Sequence, residues 1–477
     1  MTESYRPSLK AILVFAVVAP AMLMSSMDNT IVGIGLPTIM DALNTNIAWV
    51  GWIFTAYQLT QTIFMPIAGK IADEWGRKKV FIGAVVLFVG SSIGVGLSQN
   101  IYMLIFFRVT QAIGGAAFMP SATGIIADAF AGPRRATAIG LLGSIFPIGV
   151  MLGPNLGGFV LEYLSWRWMF FVSFPIGILV LLTAPFILPK DKPVKSKRNV
   201  DLVGAGWFAG GIASLLYAMT AWGNNDGSIN AMTLVFFGIG AAFLALFWRH
   251  IHHTPNPLID IDLLKRPVFV AANIYNTIYG LGTFGVFAFM PYYIIVEYDM
   301  SPRDVGIALT PRLILIMVAS ILTSFLLPKL GYRKPMIIGP LLVGASLILL
   351  AMALHDVTLF GMSIPDMWSL AFILTFGGIG MGIANPASQN AALDLAPEKV
   401  AAITGLRGTI RGAGGVLGIA LATLYLSGVE DRGEGLANVF IATTVLMWLV
   451  LPVVFLIPDV KPKSKAEKVN EVQAKST

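Results

Sequence analysis

Two ionisable side chains lie deep inside apolar segments of this 477-residue sequence. Asp28 belongs to the apolar segment that begins at Ala11, and Arg108 belongs to the one that begins at Ile101. An unpaired charge in hydrocarbon is so costly that each residue needs a partner or a water-filled cavity. A carboxyl that meets a guanidinium in one state and loses it in another can release and bind a proton. These residues are therefore predicted to form a proton-exchange site, with a permanent structural ion pair as the alternative.

Their positions along the two segments predict that these residues meet. Asp28 comes about 17 residues after the start of its segment, roughly 25 Å along a helix that rises 1.5 Å per residue. Arg108 comes about seven residues into a segment that runs the opposite way, so it lies roughly 10 Å below the outer surface. In a hydrocarbon core of about 30 Å the two depths agree within one helical turn.

The composition indicates that the main solvent of this chain is lipid. Charged residues make up 12% of the sequence, against roughly 25% in soluble domains, and hydrophobic residues make up 56%. The mean hydropathy is +0.78. These values exclude a soluble enzyme, a nucleic-acid-binding protein and a disordered chain. The sequence has no Cys, which excludes disulfides and thiolate metal sites, and no metal or cofactor is predicted.

Apolar segments long enough to cross a bilayer occur fourteen times. A helix needs about 20 apolar residues to cross a hydrocarbon core of about 30 Å. The predicted spans are 11–35, 47–68, 79–98, 101–123, 137–160, 168–188, 202–221, 231–250, 268–294, 304–327, 335–354, 367–389, 400–426 and 437–457. The predicted fold class is therefore an all-α integral membrane protein with 14 transmembrane helices.

Two long polar connections divide these helices into groups. They lie at residues 189–201 and 250–267 and bracket the seventh and eighth helices. The predicted domains are an N-terminal six-helix bundle over 1–189, an inserted helix pair with cytoplasmic linkers over 190–267 and a C-terminal six-helix bundle over 268–457. The tail over 458–477 is polar and poor in apolar residues, which predicts a disordered cytoplasmic segment.

The basic residues predict the orientation of the chain. With the N-terminus in the cytoplasm, 25 of the 32 Lys and Arg residues lie on the cytoplasmic side, and only Arg167, Arg303 and Arg432 lie outside. The other four lie inside predicted helices. This bias follows the positive-inside rule, so both termini are predicted to be cytoplasmic and the protein to be multi-pass in the cell (inner or plasma) membrane. The rule also explains the net charge of +7 without a nucleic-acid partner.

A short motif connects the second and third predicted helices. Its principal residues are Gly69, Asp73, Gly76 and Arg77. The glycines allow a tight turn, Asp73 can cap a neighbouring helix N-terminus, and Arg77 can reach Asp128 at the end of the fourth helix. A positive-inside loop alone would explain one such motif. A degraded copy at 328–334 follows the tenth helix, which indicates two homologous halves.

These motifs resemble signatures of the major facilitator superfamily. The loop is similar to the pattern G-x-L-A-D-x-x-G-R-K, with Ile71 in place of Leu. A second signature lies in the first predicted helix, at Asp28 to Val32 with Leu36-Pro37. A third lies in the fourth predicted helix and consists of Leu104, Arg108, Gln111, Gly114 and Gly115, with Ala112 where the family usually has Gly. The fourth lies in the fifth predicted helix, where residues 149–158 are similar to the antiporter pattern G-x-x-x-G-P-x-x-G-G. With fourteen spans, the chain resembles the drug:proton antiporter branch. The resemblance implies a major facilitator fold with two pseudo-symmetric halves.

The fifth predicted helix carries the antiporter pattern as a series of small residues. They are Gly149, Gly153 and Gly157 on one face, with Pro154 and Gly158 beside them. Close helix packing alone would explain this spacing. The functional interpretation, which the resemblance supports, is a bendable gating contact that prevents leakage during alternating access. A weaker counterpart in the thirteenth helix consists of Gly408, Gly412, Gly415 and Gly418.

Polar residues of the later helices predict a substrate cavity. Arg407 and Arg411 share a face of the thirteenth helix, roughly 10 and 16 Å from its cytoplasmic start. Arg407 can snorkel, whereas Arg411 is expected to face the cavity and to favour zwitterionic or anionic amphiphiles over multivalent cations. The other predicted cavity residues are Tyr57, Gln58, Gln61, Asn273, Asn276, Tyr279, Asn385, Gln389 and Asn390, with polar packing between helices as the alternative.

The predicted function is a proton-coupled secondary active transporter, not an enzyme, that exports hydrophobic or amphipathic compounds by alternating access. A lipid or glycolipid flippase or exporter on the same fold is the alternative, which the two arginines and the 21 Met and 30 Phe residues permit equally. A membrane-embedded enzyme or a passive channel is disfavoured because no second catalytic group or filter-like ring is visible. The predicted partners are a small hydrophobic or amphipathic substrate or a lipid, protons and the bilayer, with the chain as a monomer.

Overall fold

The fold is known from a computed structural model that describes residues 9–130, 133–191, 201–223, 229–254, 257, 266–355, 357–359, 362–393 and 400–459. The helices are α1 (Leu9–Ala42), α2 (Ile47–Trp75), α3 (Arg77–Gly96), α4 (Ile101–Ala129), α5 (Pro133–Tyr163), α6 (Trp168–Phe171), α7 (Ser173–Ile187), α8 (Leu202–Gly223), α9 (Ala231–His253), α10 (Pro267–Gly280), α11 (Met290–Tyr298), α12 (Pro302–Leu330), α13 (Arg333–Ala351), α14 (Asp366–Leu393), α15 (Val400–Ser427) and α16 (Arg432–Leu449). Two antiparallel strands of two residues each, β1 (Thr358–Leu359) and β2 (Met362–Ser363), pair Thr358 with Ser363.

Helices dominate because a backbone in lipid must satisfy its own hydrogen bonds. Among the described residues, twelve helical segments are long and apolar enough to cross a membrane. They are Leu9–Ala42, Arg77–Gly96, Ile101–Ala129, Trp168–Ile187, Leu202–Trp222, Ala231–His253, Pro267–Tyr298, Pro302–Leu327, Arg333–Ala351, Asp366–Ala392, Ile410–Ser427 and Arg432–Leu456. The predicted disordered tail lies outside the described residues from position 460 onward.

Asparagine side chains fix the start of several helices. The Oδ1 atoms of Asn46, Asn100 and Asn230 accept hydrogen bonds from the backbone N–H three residues later, at 3.1, 2.9 and 2.8 Å. Such caps satisfy donors that have no partner within the helix and are worth about 1 kcal/mol each. The starts of α2, α4 and α9 are therefore set by local sequence.

The segment predicted as one helix over 268–294 is interrupted. After α10 the chain forms a π turn at Leu281–Gly285 and a 3-10 turn at Val286–Phe289, and α11 follows. Gly280, Gly282 and Gly285 lie at or beside the interruption. Each Gly in a helix costs about 1 kcal/mol relative to Ala, so a local departure from α geometry is cheapest here.

The described residues within 1–260, 288–307 and 416–435 form one compact unit. In it α1 packs against α5, and both α2 and α3 pack against α4. Aromatic rings of Phe81, Phe88 and Phe118 lie at the centre of the apolar core between these helices. The helices α8 and α9 pack against each other, and Trp52 Nε1 of α2 donates to Thr220 Oγ1 of α8 at 2.7 Å.

The described residues within 261–287, 308–415 and 436–477 form a second compact unit. Its helices α13 and α14 are in backbone contact, since a Cβ at Gly380 would lie 2.9 Å from Val343 N. The hydroxyl of Tyr275 in α10 donates to Met336 O of α13 at 3.0 Å. These contacts place α10 beside the α13–α14 pair.

Candidate functional site

The helices α1 and α4 bring Asp28 and Arg108 together. Arg108 Nη1 lies 2.5 Å from Asp28 Oδ2, and each side chain is only 1% exposed. The Arg108 guanidinium carbon also lies 4.0 Å from the centre of the Tyr57 ring, and its Nε donates to Ile53 O at 3.3 Å. The opposite charges therefore compensate each other in a place that is closed to solvent.

Gln111 completes this arrangement, although the sequence had not assigned it to the site. Its Nε2 donates to Asp28 Oδ1 at 2.9 Å and to Ser92 Oγ at 2.7 Å, and its Oε1 accepts from Arg108 Nη1 at 2.7 Å. The sequence signals for Gln111 were its place beside Arg108 in the family signature and its spacing of three from Arg108, which puts both on one face of α4. We call Asp28, Ser92, Arg108 and Gln111 the Asp28 group.

Glycines of α5 allow α1 to come close enough to hold Asp28 in position. They are Gly149, Gly153 and Gly157. A Cβ at Gly153 would lie 2.8 Å from Met27 O, a distance that real side chains do not show. Thr30 Oγ1 donates to Val150 O at 3.2 Å across the same contact. The small residues of α5 therefore set the position of the α1 turn that carries Asp28.

Pro154 and Gly158 of α5 lie against the start of α12. A Cβ at Gly158 would lie 2.8 Å from Arg303 Cα, and a Cβ at Gly306 would lie 2.8 Å from Pro154 O. Arg303 Nη1 also lies 3.7 Å from Glu162 Oε1. Residues of the predicted N-terminal and C-terminal bundles are thus in backbone contact at the end of α5 that is remote from Gly76.

Gly76 and Arg77 lie where α2 ends and α3 begins. Gly76 has a φ of +105°, a conformation that favours glycine. Arg77 Nη1 donates to Asp128 Oδ2 at 2.9 Å and to Gly124 O at 3.1 Å. The predicted partners Arg77 and Asp128 are therefore together, with side chains 32% and 41% exposed.

A carboxylate that the sequence analysis did not assign caps α3. Asp191 accepts hydrogen bonds from the backbone N–H of Lys78 at 2.7 Å and of Lys79 at 3.3 Å. A cap of this kind had been predicted for Asp73, whose side chain lies outside the part of the chain that the structure describes. Gly69, the other glycine of the motif, lies in α2. A Cβ built at Gly69 would lie 3.4 Å from Pro120 Cβ, so this position has room for a side chain.

The second half repeats this cap. Gly331 has a φ of +71°, and Asp459 Oδ1 accepts from the backbone N–H of Tyr332 at 3.1 Å and of Arg333 at 3.2 Å. Both capping residues follow a Pro shortly after the last helix of their half, at Pro189 and Pro458. This repeated position after a Pro is the sequence signal that could have identified Asp191 and Asp459 as capping residues.

Arg407 of α15 is held inside the second compact unit. Its side chain is 7% exposed, and its Nη2 donates to Asn276 Oδ1 at 3.3 Å and to Ser388 Oγ at 2.9 Å. Asn276 Nδ2 in turn donates to Arg407 O at 2.8 Å. Arg407 therefore points into the protein between α10 and α14 and does not snorkel to the surface.

Arg411 lies one turn further along α15 in the same surroundings. Its Nη1 donates to Asn385 Oδ1 at 3.0 Å, and its guanidinium carbon lies 5.2 Å from the centre of the Tyr279 ring. A Cβ at Gly414 would meet the Thr277 carbonyl group, so α10 and α15 are in backbone contact here. Small residues thus bring Arg411 to the Tyr279 ring.

Arg312 of α12 is a third buried arginine that the sequence analysis left out of the site. It is 7% exposed, its guanidinium carbon lies 4.0 Å from the centre of the Phe287 ring, and its Nη2 lies 3.2 Å from Met381 Sδ. The Tyr279 hydroxyl donates to Met381 O at 3.1 Å, which places Arg312 beside the same tyrosine as Arg411. We call Arg312, Arg407 and Arg411 the arginine group.

The other predicted cavity residues are not all near the arginine group. Tyr57 contacts Arg108 instead. Gln58 and Gln61 are partly exposed and Gln389 is exposed, whereas Asn273 is buried and its Nδ2 donates within its own helix to Phe269 O at 2.9 Å. Asn390 is exposed and likewise donates within its helix. The structure thus collects Asn276, Tyr279 and Asn385 around the arginines.

Comparisons with known proteins place this geometry in a family. A family model described as Major Facilitator Superfamily matches residues 18–254 and 273–476. The multidrug transporter protein MdtP of Bacillus subtilis is 28% identical over 422 residues, which cover 88% of this chain and 76% of that protein. The multidrug resistance protein B homolog of Mycobacterium tuberculosis is 30% identical with the same coverage. The inward open xylose transporter XylE from E. coli shares the fold, with a TM-score of 0.63 and 13% identity over 97% of this chain and 99% of that one.

Proposed function

Because this chain belongs to the major facilitator superfamily, we propose that it is a proton-coupled antiporter that exports hydrophobic or amphipathic compounds. The family match extends over most of the chain and makes it a multi-pass membrane transporter rather than an enzyme. The names of its relatives, a multidrug transporter and a multidrug resistance protein, support drug efflux. The observation that carries proton coupling is the closed ion pair of Asp28 and Arg108.

In the proposed cycle, Asp28 exchanges a proton through the presence or absence of its partners. With Arg108 and Gln111 in contact, as in this structure, the Asp28 carboxylate accepts a hydrogen bond from each, and its negative charge is compensated. When Arg108 withdraws, the isolated carboxylate in a dry site is costly and takes up a proton. Proton entry at Asp28 thus drives the conformational change that moves cargo outward.

We also propose fourteen crossings in the arrangement six, two and six, with both termini in the cytoplasm. The helices α2 and α5, with 29 and 31 residues, are added to the twelve apolar segments described above. The charge bias across the predicted loops supports the orientation. This proposed count and the antiporter pattern at 149–158 support our placing the chain in the drug:proton branch.

The gates of the cycle are proposed to lie at opposite ends of the bundle. The contact of Pro154 and Gly158 with the start of α12 closes one end. At the other end, the Arg77–Asp128 pair, which is already formed in this structure, belongs with Asp73 to a proposed latch that closes fully in the outward-facing state. Arg77→Ala should reduce crosslinking of engineered Cys pairs at the latch end, which the Cys-free chain makes easy to read. Unchanged crosslinking contradicts the latch.

Proton flux in proteoliposomes tests the proposed function. A gradient of a fluorescent lipophilic compound should drive proton movement in the opposite direction, measured with a pH dye on the other side of the membrane. A passive channel would move protons without cargo, and an enzyme would move none. Substrate movement with no proton movement contradicts antiport. A lipid or glycolipid exporter is the second candidate, and the positive charge of the arginine group favours it when the lipid is anionic.

A further inference from the structure

The arginine group carries positive charge that proton exchange at Asp28 does not use. We propose that Arg407 and Arg411, with Arg312 beside them, bind the anionic group of an amphipathic cargo, a phosphate or carboxylate attached to an apolar body. This inference rests on the proposed export function and names the charge of the cargo. Four observations from the second compact unit carry it.

The first observation is the charge balance of that unit. Among its described residues the carboxylates are Asp366 and Asp459. Asp366 lies at the start of α14 with its Oδ2 3.2 Å from His355 Nδ1, and Asp459 caps α13. Within the part that the structure describes, both acidic groups of the unit thus contact partners away from Arg407.

The second observation is an unused donor. Among the described residues, Arg407 Nη1 is buried and has no hydrogen-bond partner, whereas Nη2 donates to Asn276 and Ser388. A buried guanidinium N–H without an acceptor is costly, and the two neutral acceptors, Asn276 and Ser388, only partly compensate the charge of Arg407. An oxygen of a bound anion supplies the missing acceptor.

The third observation concerns the tyrosines beside the arginines. The Tyr275 and Tyr279 rings stack with centroids 6.0 Å apart. Both hydroxyls donate to backbone carbonyls, those of Met336 and Met381. Because the hydroxyl protons are committed as donors, neither tyrosine supplies a negative charge. The rings form a rigid apolar wall beside Arg411, suited to the body of an amphiphile.

The fourth observation is access. Arg411 is partly exposed, and a Cβ at Gly408, on the turn between the two arginines, would meet nothing within 4 Å. Arg407 and Arg411 repel each other across this turn. A guanidinium binds phosphate or carboxylate in a planar, two-pronged geometry, so one anion can satisfy both side chains and remove the repulsion.

The test is direct binding to the purified full-length chain in nanodiscs of zwitterionic lipid. Two probes share one fluorophore and one decyl chain and differ only in a phosphate or a trimethylammonium head. The unmodified protein should bind the phosphate probe about tenfold more tightly, as one additional charge-assisted hydrogen bond implies. Equal affinities for the two probes would overturn the proposal without any variant.

Variants then assign the effect to named residues. Arg407→Gln and Arg411→Gln should each weaken phosphate-probe binding about tenfold and leave the cation probe within about twofold. Arg407→Lys should retain more binding than Arg407→Gln because it keeps the charge but lacks the fork. Arg249→Gln removes an exposed arginine of α9 and is the matched control. Equal loss of both probes contradicts an anion site.

Competition separates the sources of the anion. If the cargo is a lipid, anionic lipid added to the nanodiscs should displace the phosphate probe. If the cargo is a soluble amphiphile, the phosphate probe should stay bound. In both cases the protein should bind the phosphate probe more tightly than the trimethylammonium probe. Inorganic phosphate that competes as strongly as the probe contradicts an amphiphilic cargo. Because no proton gradient is present, a failure of proton coupling leaves this result unaffected.

Discussion

The Asp28 group and the arginine group are both built around buried arginines, but their surroundings differ. Arg108 faces a carboxylate, Asp28, and an amide, Gln111. Arg407 and Arg411 face amides, a hydroxyl and an aromatic ring instead. The first group is neutral in total, whereas the second keeps its positive charge within the described unit. A buried arginine therefore has two different uses in this chain.

Because of this difference, we expect a proton to change the state of the Asp28 group and an anion to change the state of the arginine group. Separation of Arg108 from Asp28 leaves a lone carboxylate, which a proton neutralises. Among the described residues Arg407 has a buried N–H without an acceptor, which the oxygen of an arriving anion would satisfy. Proton exchange and cargo binding are thereby assigned to different parts of the molecule.

Loss of the carboxylate should have the largest effect. Asp28→Asn fills the same space but cannot cycle a proton, so transport driven by a pH gradient in inverted vesicles should be abolished. Arg407→Gln should only reduce transport of an anionic amphiphile, by about tenfold. Asp41→Asn, an isosteric change of an exposed carboxylate at the end of α1, is the control and should transport normally. Undiminished transport by Asp28→Asn would sink the proton site.

Glycines in the two halves should respond differently to the same added methyl group. Gly153→Ala introduces a Cβ about 2.8 Å from Met27 O and should lower the free energy of unfolding by about 1–3 kcal/mol. Gly408→Ala meets open space and should raise it by up to about 1 kcal/mol, as Gly to Ala does in helices. Thermal unfolding of both variants in detergent checks this, and a similar change in both contradicts the α1–α5 contact.

Removal of the capping carboxylate should lower stability equally in the two halves, because Asp191 and Asp459 cap their helices in the same way. Asp191→Ala and Asp459→Ala each remove a carboxylate that accepts two backbone N–H groups at a helix start. Each should lower stability by about 1 kcal/mol in the same unfolding measurement. Glu430→Ala, an exposed acidic position in the turn before α16, should change nothing. A loss in one half only argues against a repeated cap.

The helical architecture could be predicted because lipid imposes a length on every crossing segment. The meeting of Asp28 with Arg108 followed from depth alone, since both lie in long helices of known direction. The interruption after Gly280 was missed because the segment is apolar enough on average to be predicted as one span, and hydropathy does not distinguish π from α geometry.

Partners within the sites were harder to predict than the charged residues themselves. Gln111 and Ser92 are neutral polar residues of two different helices, and the sequence does not say that they meet each other or Asp28. Nor does it say that Arg312 lies beside Tyr279, because its contacts Phe287 and Met381 are apolar residues of other segments. Side-chain geometry supplied what periodicity could not.

Proton release on cargo binding tests the central claim most directly. The purified protein in a weakly buffered solution with a pH dye should release protons when the phosphate-headed amphiphile is added, because cargo binding and Asp28 protonation oppose each other in antiport. Asp28→Asn should bind the amphiphile but release none, whereas Arg407→Gln should release protons only at higher amphiphile concentration. Proton release that is unchanged in Asp28→Asn would contradict the assignment of proton exchange to the Asp28 group.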